Sequence, residues 1–400
     1  MNDFSSELSR RLDSIREQGL YRELRRIDSP QSPVIEINGR KLLNFSSNDY
    51  LGLANHPALK EAAIKAIERF GAGSGASRLI CGSLTPHGEL EEALASFKGA
   101  EAALSFSSGY AAAVGTICAL LGKDDVIVID KLVHASIVDA ARLSGAKLRI
   151  FSHNDLNELE DILRWANERN SIAGPRPRTL IVTESVFSMD GDLAPLREMM
   201  ELKEKHGAWL MVDEAHATGL FGKQRRGLAE ELNISDRIEI QMGTLGKALG
   251  SSGGYIAGPK VLVHYLINRA RSFIFSTAPV PAAAGSASAA IAVVQSTEGR
   301  DRCRQLWDLV TQVKDGLIKS GWQLPAGRSA ILPLMVGDET KAVHLANTLR
   351  EHGFFIPAIR HPTVARGAAR LRLTVTAAHA AGDITRLLAA LAESTLSHKT

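Results

Sequence analysis

Two short segments of this 400-residue chain carry side chains suited to carbonyl chemistry. Lys247 sits in Thr244-Leu245-Gly246-Lys247-Ala248-Leu249-Gly250, among small and apolar neighbours. Burial lowers a lysine's pKa and makes its amine a nucleophile for carbonyl groups. Upstream, Asp213 opens Asp213-Glu214-Ala215-His216 directly after the apolar run 209–212, which predicts a carboxylate at the end of a buried strand. A desolvated lysine and a strand-end acid are two parts that pyridoxal phosphate chemistry needs. The lysine holds the cofactor as a Schiff base, and the acid keeps the pyridine nitrogen protonated. The same residues also fit a plainer arrangement, a surface lysine after a loop and an Asp at a helix N-cap.

Other segments add candidates, each with an ordinary alternative. Ser107-Ser108-Gly109-Tyr110 follows a strand pattern and opens a helical one. Free N–H groups and the helix dipole there suit a phosphate, held by Ser108 and the amides of Gly109 and Tyr110; Ser108 equally suits a simple N-cap. His134, after the apolar run 126–129, can stack on a cofactor ring or serve as a polar loop residue. Ser188, in Glu184-Ser185-Val186-Phe187-Ser188-Met189-Asp190-Gly191-Asp192, can bond a ring substituent or tie a turn. Gly71-Ala72-Gly73-Ser74-Gly75-Ala76 matches the dinucleotide fingerprint in letters only, because a helix and not a strand precedes it. Its glycines predict a loop that lets backbone approach a ligand or a second subunit. What favours one site is convergence. Ser108, His134, Ser188, Asp213, His216 and Lys247 all fall just past the carboxyl ends of successive strand patterns, the edge where open α/β sheets bind ligands.

The elements that must position these residues follow from periodicity. Strand patterns occur over 102–106, 126–129, 148–151, 180–183, 209–212, 238–242 and 254–257, and helical patterns over 111–121, 157–169 and 195–205 lie between some of them. This alternation predicts an α/β fold with a mainly parallel central sheet flanked by helices. Before it, residues 4–25 predict a charged helix or arm and 34–45 a hairpin turning at Asn38-Gly39. Residues 48–56 read as loop and 57–70 as helix. After the sheet, an Ala-rich helix over 282–296 leads to helices over 305–319, 341–352 and 384–396 and strands over 331–336 and 371–375. The predicted division is an N-terminal arm and hairpin over 1–55, a large cofactor-binding α/β domain over 56–290, and a smaller C-terminal α+β domain over 291–400.

Composition excludes several classes. Hydrophobic residues at 45% and charged residues at 23% are ordinary for a globular protein, and a net charge of +3 with no basic block gives no footprint for nucleic acid. Cys81, Cys118 and Cys303 are far apart, so neither a disulfide framework nor a zinc pair is expected, and no metal is assigned. No apolar run reaches the ~18 residues of a membrane span. The N-terminal stretch lacks the apolar core of a signal peptide, so the expectation is a cytoplasmic protein without membrane partners.

The chain is identified as resembling the α-oxoamine synthases, pyridoxal phosphate enzymes of fold type I that condense an amino acid with an acyl-CoA. The matching runs are Asn44-Phe45-Ser46-Ser47-Asn48-Asp49-Tyr50-Leu51-Gly52-Leu53, Thr183-Glu184-Ser185-Val186-Phe187-Ser188-Met189-Asp190-Gly191, Asp213-Glu214-Ala215-His216 and Thr244-Leu245-Gly246-Lys247. The resemblance spans about residues 20–390. Ala358-Ile359-Arg360-His361-Pro362-Thr363-Val364 and Ala369-Arg370-Leu371-Arg372-Leu373-Thr374 are similar to the branch that joins L-alanine to pimeloyl-CoA or a related thioester. His361 and Ala365 depart from that branch's usual AIRPPTVP. The resemblance implies that Lys247 carries the cofactor and Asp213 pairs with its ring nitrogen. His216 and Ser188 reach the phenolic oxygen, and His134 stacks on the ring. Gly109, Tyr110 and Thr244 hold the cofactor, Thr244 at its phosphate, and Ser276 and Thr277 contact the phosphate of a second subunit's cofactor. Asn48 and Arg372 would bind the amino-acid carboxylate, and Arg22 and Thr363 the acyl substrate. A homodimer with shared sites follows. The alternatives are other α-oxoamine synthases, such as one using glycine and acetyl-CoA, or an inactive partner subunit. Such subunits typically lack the lysine that this chain has.

Overall fold

The structure is a computed structural model and describes residues 3–169 and 177–396. An N-terminal helix, Phe4–Glu17, buries none of its residues. It stops well short of residue 25: Gly19 takes φ +65°, and the chain beyond it runs without regular structure to the hairpin. Strands β1 (Val34–Ile37) and β2 (Arg40–Asn44) pair antiparallel about Asn38 and Gly39, both at positive φ, the backbone that a tight two-residue hairpin turn requires.

The central sheet contains β3 (Ala102–Phe106), β4 (Val126–Asp130), β5 (Lys147–Phe151), β6 (Thr179–Glu184), β7 (Trp209–Asp213), β8 (Ile240–Thr244) and β9 (Gly254–Gly258). Among the described residues its order is β3-β9-β8-β7-β6-β4-β5. Only β9 is antiparallel to its neighbours, so the sheet is mainly parallel. Parallel strands need crossovers that cover both faces with helices. The sequence alternates accordingly: Leu180, Val182 and Met211 face one core cluster, while Ile181, Leu210 and Val212 face the other, all of them buried. Helices Gly109–Leu120, Ala135–Ser144 and Lys260–Arg269 contribute Ile117, Ile137 and Leu266 to the first cluster. Helices Thr85–Lys98, Leu156–Arg169 and Leu196–His206 contribute Leu94, Leu159 and Met199 to the second.

Helix Pro281–Gln295 leads into the 23-residue helix Thr297–Lys319. The latter begins eight residues before the predicted 305, because the Ser296 side chain caps it by accepting from the Gly299 N–H. Beyond it come β10 (Ile331–Gly337), β11 (Phe354–Phe355), β12 (Ala358–Ile359) and β13 (Ala369–Thr374), with helices Glu339–Glu351 and Ala381–Leu396. Strands β10, β13 and β12 form an antiparallel sheet. Strand β11 instead joins the N-terminal hairpin, pairing parallel to β2 through Phe354↔Leu43 and Phe355↔Asn44. The hairpin and the C-terminal region therefore share a sheet. No described helix is long and apolar enough to cross a membrane.

Candidate active site

The carboxyl ends of β3, β4, β6, β7 and β8 deliver Ser108, His134, Ser188, Asp213 with His216, and Lys247 to one edge of the sheet. Asp213 is the last residue of β7, and its Oδ1 accepts from the Ala215 N–H at 2.9 Å. The turn behind it is anchored by a buried ion pair, Lys98 Nζ to Glu214 Oε2 at 2.5 Å, while Glu214 Oε1 accepts from the Ala229 N–H at 2.9 Å. Gly227 packs so closely there that a Cβ would stand 2.3 Å from Glu214 Oε2.

A chain of hydrogen bonds runs across the edge. Lys247 Nζ lies 2.7 Å from His216 Nε2. His216 Nδ1 lies 2.6 Å from the Tyr50 hydroxyl, which donates to Asn48 Oδ1 at 3.2 Å. Arg372 Nη1 donates to the same Asn48 oxygen at 3.1 Å, and its Nε donates to the Ser188 carbonyl at 2.6 Å. Donors and acceptors match along the chain if His216 is neutral with its proton on Nδ1. Burial supports that state by holding its pKa well below the ordinary histidine value, with Lys247 and Arg372 pushing the same way. Burial likewise lowers the Lys247 amine, opposed by the charges of Asp213 and Glu184. It raises the Asp213 carboxyl, against the pull of Lys247 and the Ala215 amide.

Two members of this cluster carried no assignment in the sequence reading. Tyr50, fully buried, links His216 to Asn48. Glu184 ends β6 in register with Asp213, so the two carboxyls share one face of the sheet. Burial and then the Asp213 charge raise its pKa. Its Oε2 accepts from the Ser188 N–H at 3.2 Å, and its Oε1 is buried without a partner among the described residues. Both residues lie inside the segments that carry the family resemblance, and their apolar flanks mark them as buried polar groups.

The remaining candidates divide. Ser108 caps helix Gly109–Leu120, its Oγ accepting from the Ala111 N–H at 3.0 Å. The Tyr110 hydroxyl donates to Asp139 at 3.1 Å on an exposed face. His134 is exposed and caps the next helix. Arg22 Nη2 donates to Thr363 Oγ1 at 3.3 Å, so the two acyl candidates meet. Arg360, which the sequence reading did not assign, fastens the same arm by donating to the Gly19 and Tyr21 carbonyls. Ser276 and Thr277 lie in a partly exposed segment bridged to Ser77, and among the described residues neither bonds to the Lys247 cluster.

The sequence profile of the family aminotransferase class I and II matches residues 40–391. An 8-amino-7-oxononanoate synthase of Geotalea daltonii is 48% identical over 98% of this chain and 97% of the relative. One from Anaeromyxobacter sp. strain Fw109-5 is 50% identical over 96% and 95%. The chain belongs to the 8-amino-7-oxononanoate synthase family. Its fold is that of solved fold type I enzymes. Serine palmitoyltransferase from S. paucimobilis, bound to a pyridoxal phosphate–myriocin adduct, superposes with a TM-score of 0.91 at 28% identity over 99% of both chains. The 8-amino-7-oxononanoate synthase of Francisella tularensis gives 0.76 at 27% identity over 90% of this chain and 99% of that one.

The family depends on pyridoxal phosphate, and the residues present fit that group. Among the described residues Thr244 Oγ1 is buried without a partner. A Cβ on Gly109 would stand 2.6 Å from Thr244 Cγ2, and one on Gly254 2.6 Å from the Gly109 backbone. These glycines leave the first-turn amides of helix Gly109–Leu120 close to the orphaned hydroxyl, a cradle suited to a phosphate.

Proposed function

We propose that this chain joins L-alanine to pimeloyl-CoA, or a related pimeloyl thioester, to give 8-amino-7-oxononanoate in biotin synthesis. One observation carries the reading at the site. A single hydrogen-bonded chain has the Lys247 amine at one end and the Arg372 guanidinium at the other. An α-amino acid presents an amine-bearing carbon and a carboxylate, and this network offers a partner for each. The relatives named for that product support the choice of substrates.

Lys247 would hold the cofactor covalently, and Thr244 with the Ser108, Gly109 and Tyr110 turn would hold its phosphate. Bound pyridoxal phosphate supplies a protonated ring that accepts the electron pair left at the amino acid's Cα. Asp213 would keep the proton on the ring nitrogen, His134 would stack on the ring, and Ser188 with His216 would bond its phenolic oxygen. Arg372 suits a planar carboxylate because its fork donates to both oxygens, and Asn48 fixes that fork from the side. Neutral His216 leaves Lys247 Nζ able to take the Cα proton as a general base. Arg22 and Thr363 would meet the acyl substrate. In the overall exchange a carbon–carbon bond forms between alanine's Cα and the thioester carbonyl carbon. The carbon–sulfur bond breaks to release the thiol, and the alanine carboxylate leaves as carbon dioxide.

We infer that two copies share sites, with Ser276 and Thr277 reaching the partner's cofactor phosphate; their exposure in one chain accords with this. A product assay across acyl-CoAs and amino acids tests the substrate reading. The expected result is the highest kcat/KM with pimeloyl-CoA and alanine. Equal efficiency with acetyl-CoA and glycine would move the chain to another α-oxoamine synthase branch.

A further inference from the structure

Beyond the residues assigned so far, the loops at this edge are joined by a histidine with a carboxylate on each ring nitrogen. His153 lies two residues past β5. Its Nδ1 stands 3.0 and 3.2 Å from the two oxygens of Asp130, and its Nε2 stands 2.7 Å from Asp192 Oδ2. An ionised carboxylate only accepts, so both ring nitrogens donate and the ring is an imidazolium. Burial opposes that charge, but the two aspartates outweigh it and push its pKa up to about 10.

Each aspartate belongs to a different loop of the site. Asp130 ends β4, is fully buried, and also accepts from the Leu132 N–H at 2.7 Å and the Asn154 N–H at 2.8 Å. It thereby shapes the turn that leads to His134. Asp192 lies in the segment that carries Ser188, and its carbonyl accepts from the Phe187 N–H at 3.0 Å. Asn154 Nδ2 reinforces the bridge by donating to Asp192 Oδ2 at 3.1 Å and to the Leu193 carbonyl at 3.2 Å. The Phe187 ring packs edge-on against the imidazole, with centroids 4.4 Å apart.

We propose that His153 is a positioning residue that clamps the loop bearing His134 to the loop bearing Ser188, and so fixes the separation of two side chains assigned to the cofactor ring. The inference rests on that assignment. A neutral side chain of similar length cannot donate to both carboxylates through a rigid ring, so removing the imidazolium loosens both loops together. The Ser188 carbonyl also receives Arg372 Nε, so the disturbance extends to the carboxylate-binding group.

The test compares wild-type holoenzyme with His153→Gln and Asp192→Asn. The readouts are visible circular dichroism of the bound cofactor, kcat, KM for alanine and for pimeloyl-CoA, and thermal unfolding. Both variants are expected to shift the visible dichroic band and lose roughly tenfold in kcat, since a misplacement of about 1 Å costs up to ~100-fold. KM for pimeloyl-CoA should stay near wild type. A folded variant with lower Tm but wild-type dichroism and kcat would overturn the proposal and leave His153 a stability element alone. If His153→Gln does not fold, Asp192→Asn decides on the same readouts, because it removes the charge that pairs with the imidazolium on one side and keeps the Asp130–His153 pair. A wild-type protein with no borohydride-reducible cofactor link at Lys247 would instead defeat the reading of the site itself.

Discussion

The guanidinium of Arg22 meets the hydroxyl of Thr363 at 3.3 Å, across 341 residues of sequence. Arg360 holds the same arm through two backbone carbonyls, so the contact is built and not incidental. Both partners are exposed, which leaves them open to a soluble substrate. We therefore predict that Arg22→Ala raises KM for pimeloyl-CoA about three- to tenfold, in line with the ~1 kcal/mol of a typical hydrogen bond, and leaves KM for alanine unchanged. Steady-state kinetics with each substrate varied in turn check this. An effect on alanine alone would remove Arg22 from the acyl site.

Lys247→Ala should lose the borohydride-reducible cofactor adduct while the protein stays folded. Loss of a general base typically costs 10²–10⁴-fold in rate, and product formation should fall by at least that. Mass spectrometry after reduction locates the adduct in the wild type. Modification at another lysine, such as Lys131, would refute the assignment.

Tyr50→Phe deletes only the hydroxyl that joins His216 to Asn48. His216 Nδ1–H then lacks an acceptor in a buried place, at a cost of about 1–3 kcal/mol. The expected result is a lower Tm together with a loss of kcat larger than the change in KM for alanine. A lower Tm with unchanged kcat would show that the bridge serves folding only.

His379 gives a pH prediction. It stacks on Phe45 with ring centroids 4.2 Å apart, accepts from the Thr376 N–H at Nδ1 and donates to the Asn44 carbonyl from Nε2. Burial holds its pKa below the ordinary 6.5. The unfolded chain therefore binds its proton first, so its share of stability is whole above about pH 6.5 and is lost as pH falls toward the depressed value. Against wild type, His379→Gln should flatten the fall in unfolding free energy between pH 6.5 and 5, by up to ~1.4 kcal/mol per pH unit. Denaturant titrations at several pH values measure the two slopes, and parallel slopes would exclude His379 as a source.

Subunit sharing predicts complementation. A Lys247→Ala chain mixed with a Thr277→Ala chain should form heterodimers with one intact site, provided Thr277→Ala is damaging by itself. Recovery of up to about a quarter to a half of wild-type activity, depending on chain mixing, is expected from two-fold symmetry. Verified heterodimers without recovery would count against sharing.

Much of the fold was legible because buried parallel strands are short apolar runs with loops at their ends. The strand expected over 102–106 is Ala102–Phe106, and Asp213 and Lys247 stand at or past strand ends as their flanks implied. Helix Thr85–Lys98 escaped notice because Pro86 and Gly88 look like breakers. Proline is tolerated in a first helical turn, where its missing N–H costs nothing. Tyr50, His153 and Arg360 escaped for another reason. The distant partners that give them their roles lie 166, 23 and 39, and over 300 residues away, and such pairings leave no local period to read.

The pairing of Leu43 with Phe354 has a consequence for biosynthesis. A strand made early waits for one made late. At ~5–20 residues per second, roughly 15 to 60 seconds of translation separate them. During that interval the edge of β2 has no partner on that side, and Asn48 and Tyr50 have no Arg372 to complete their network. The substrate end cannot close until almost the whole chain has left the ribosome. A chain truncated before residue 354 would thus lack the Arg372 that finishes the site.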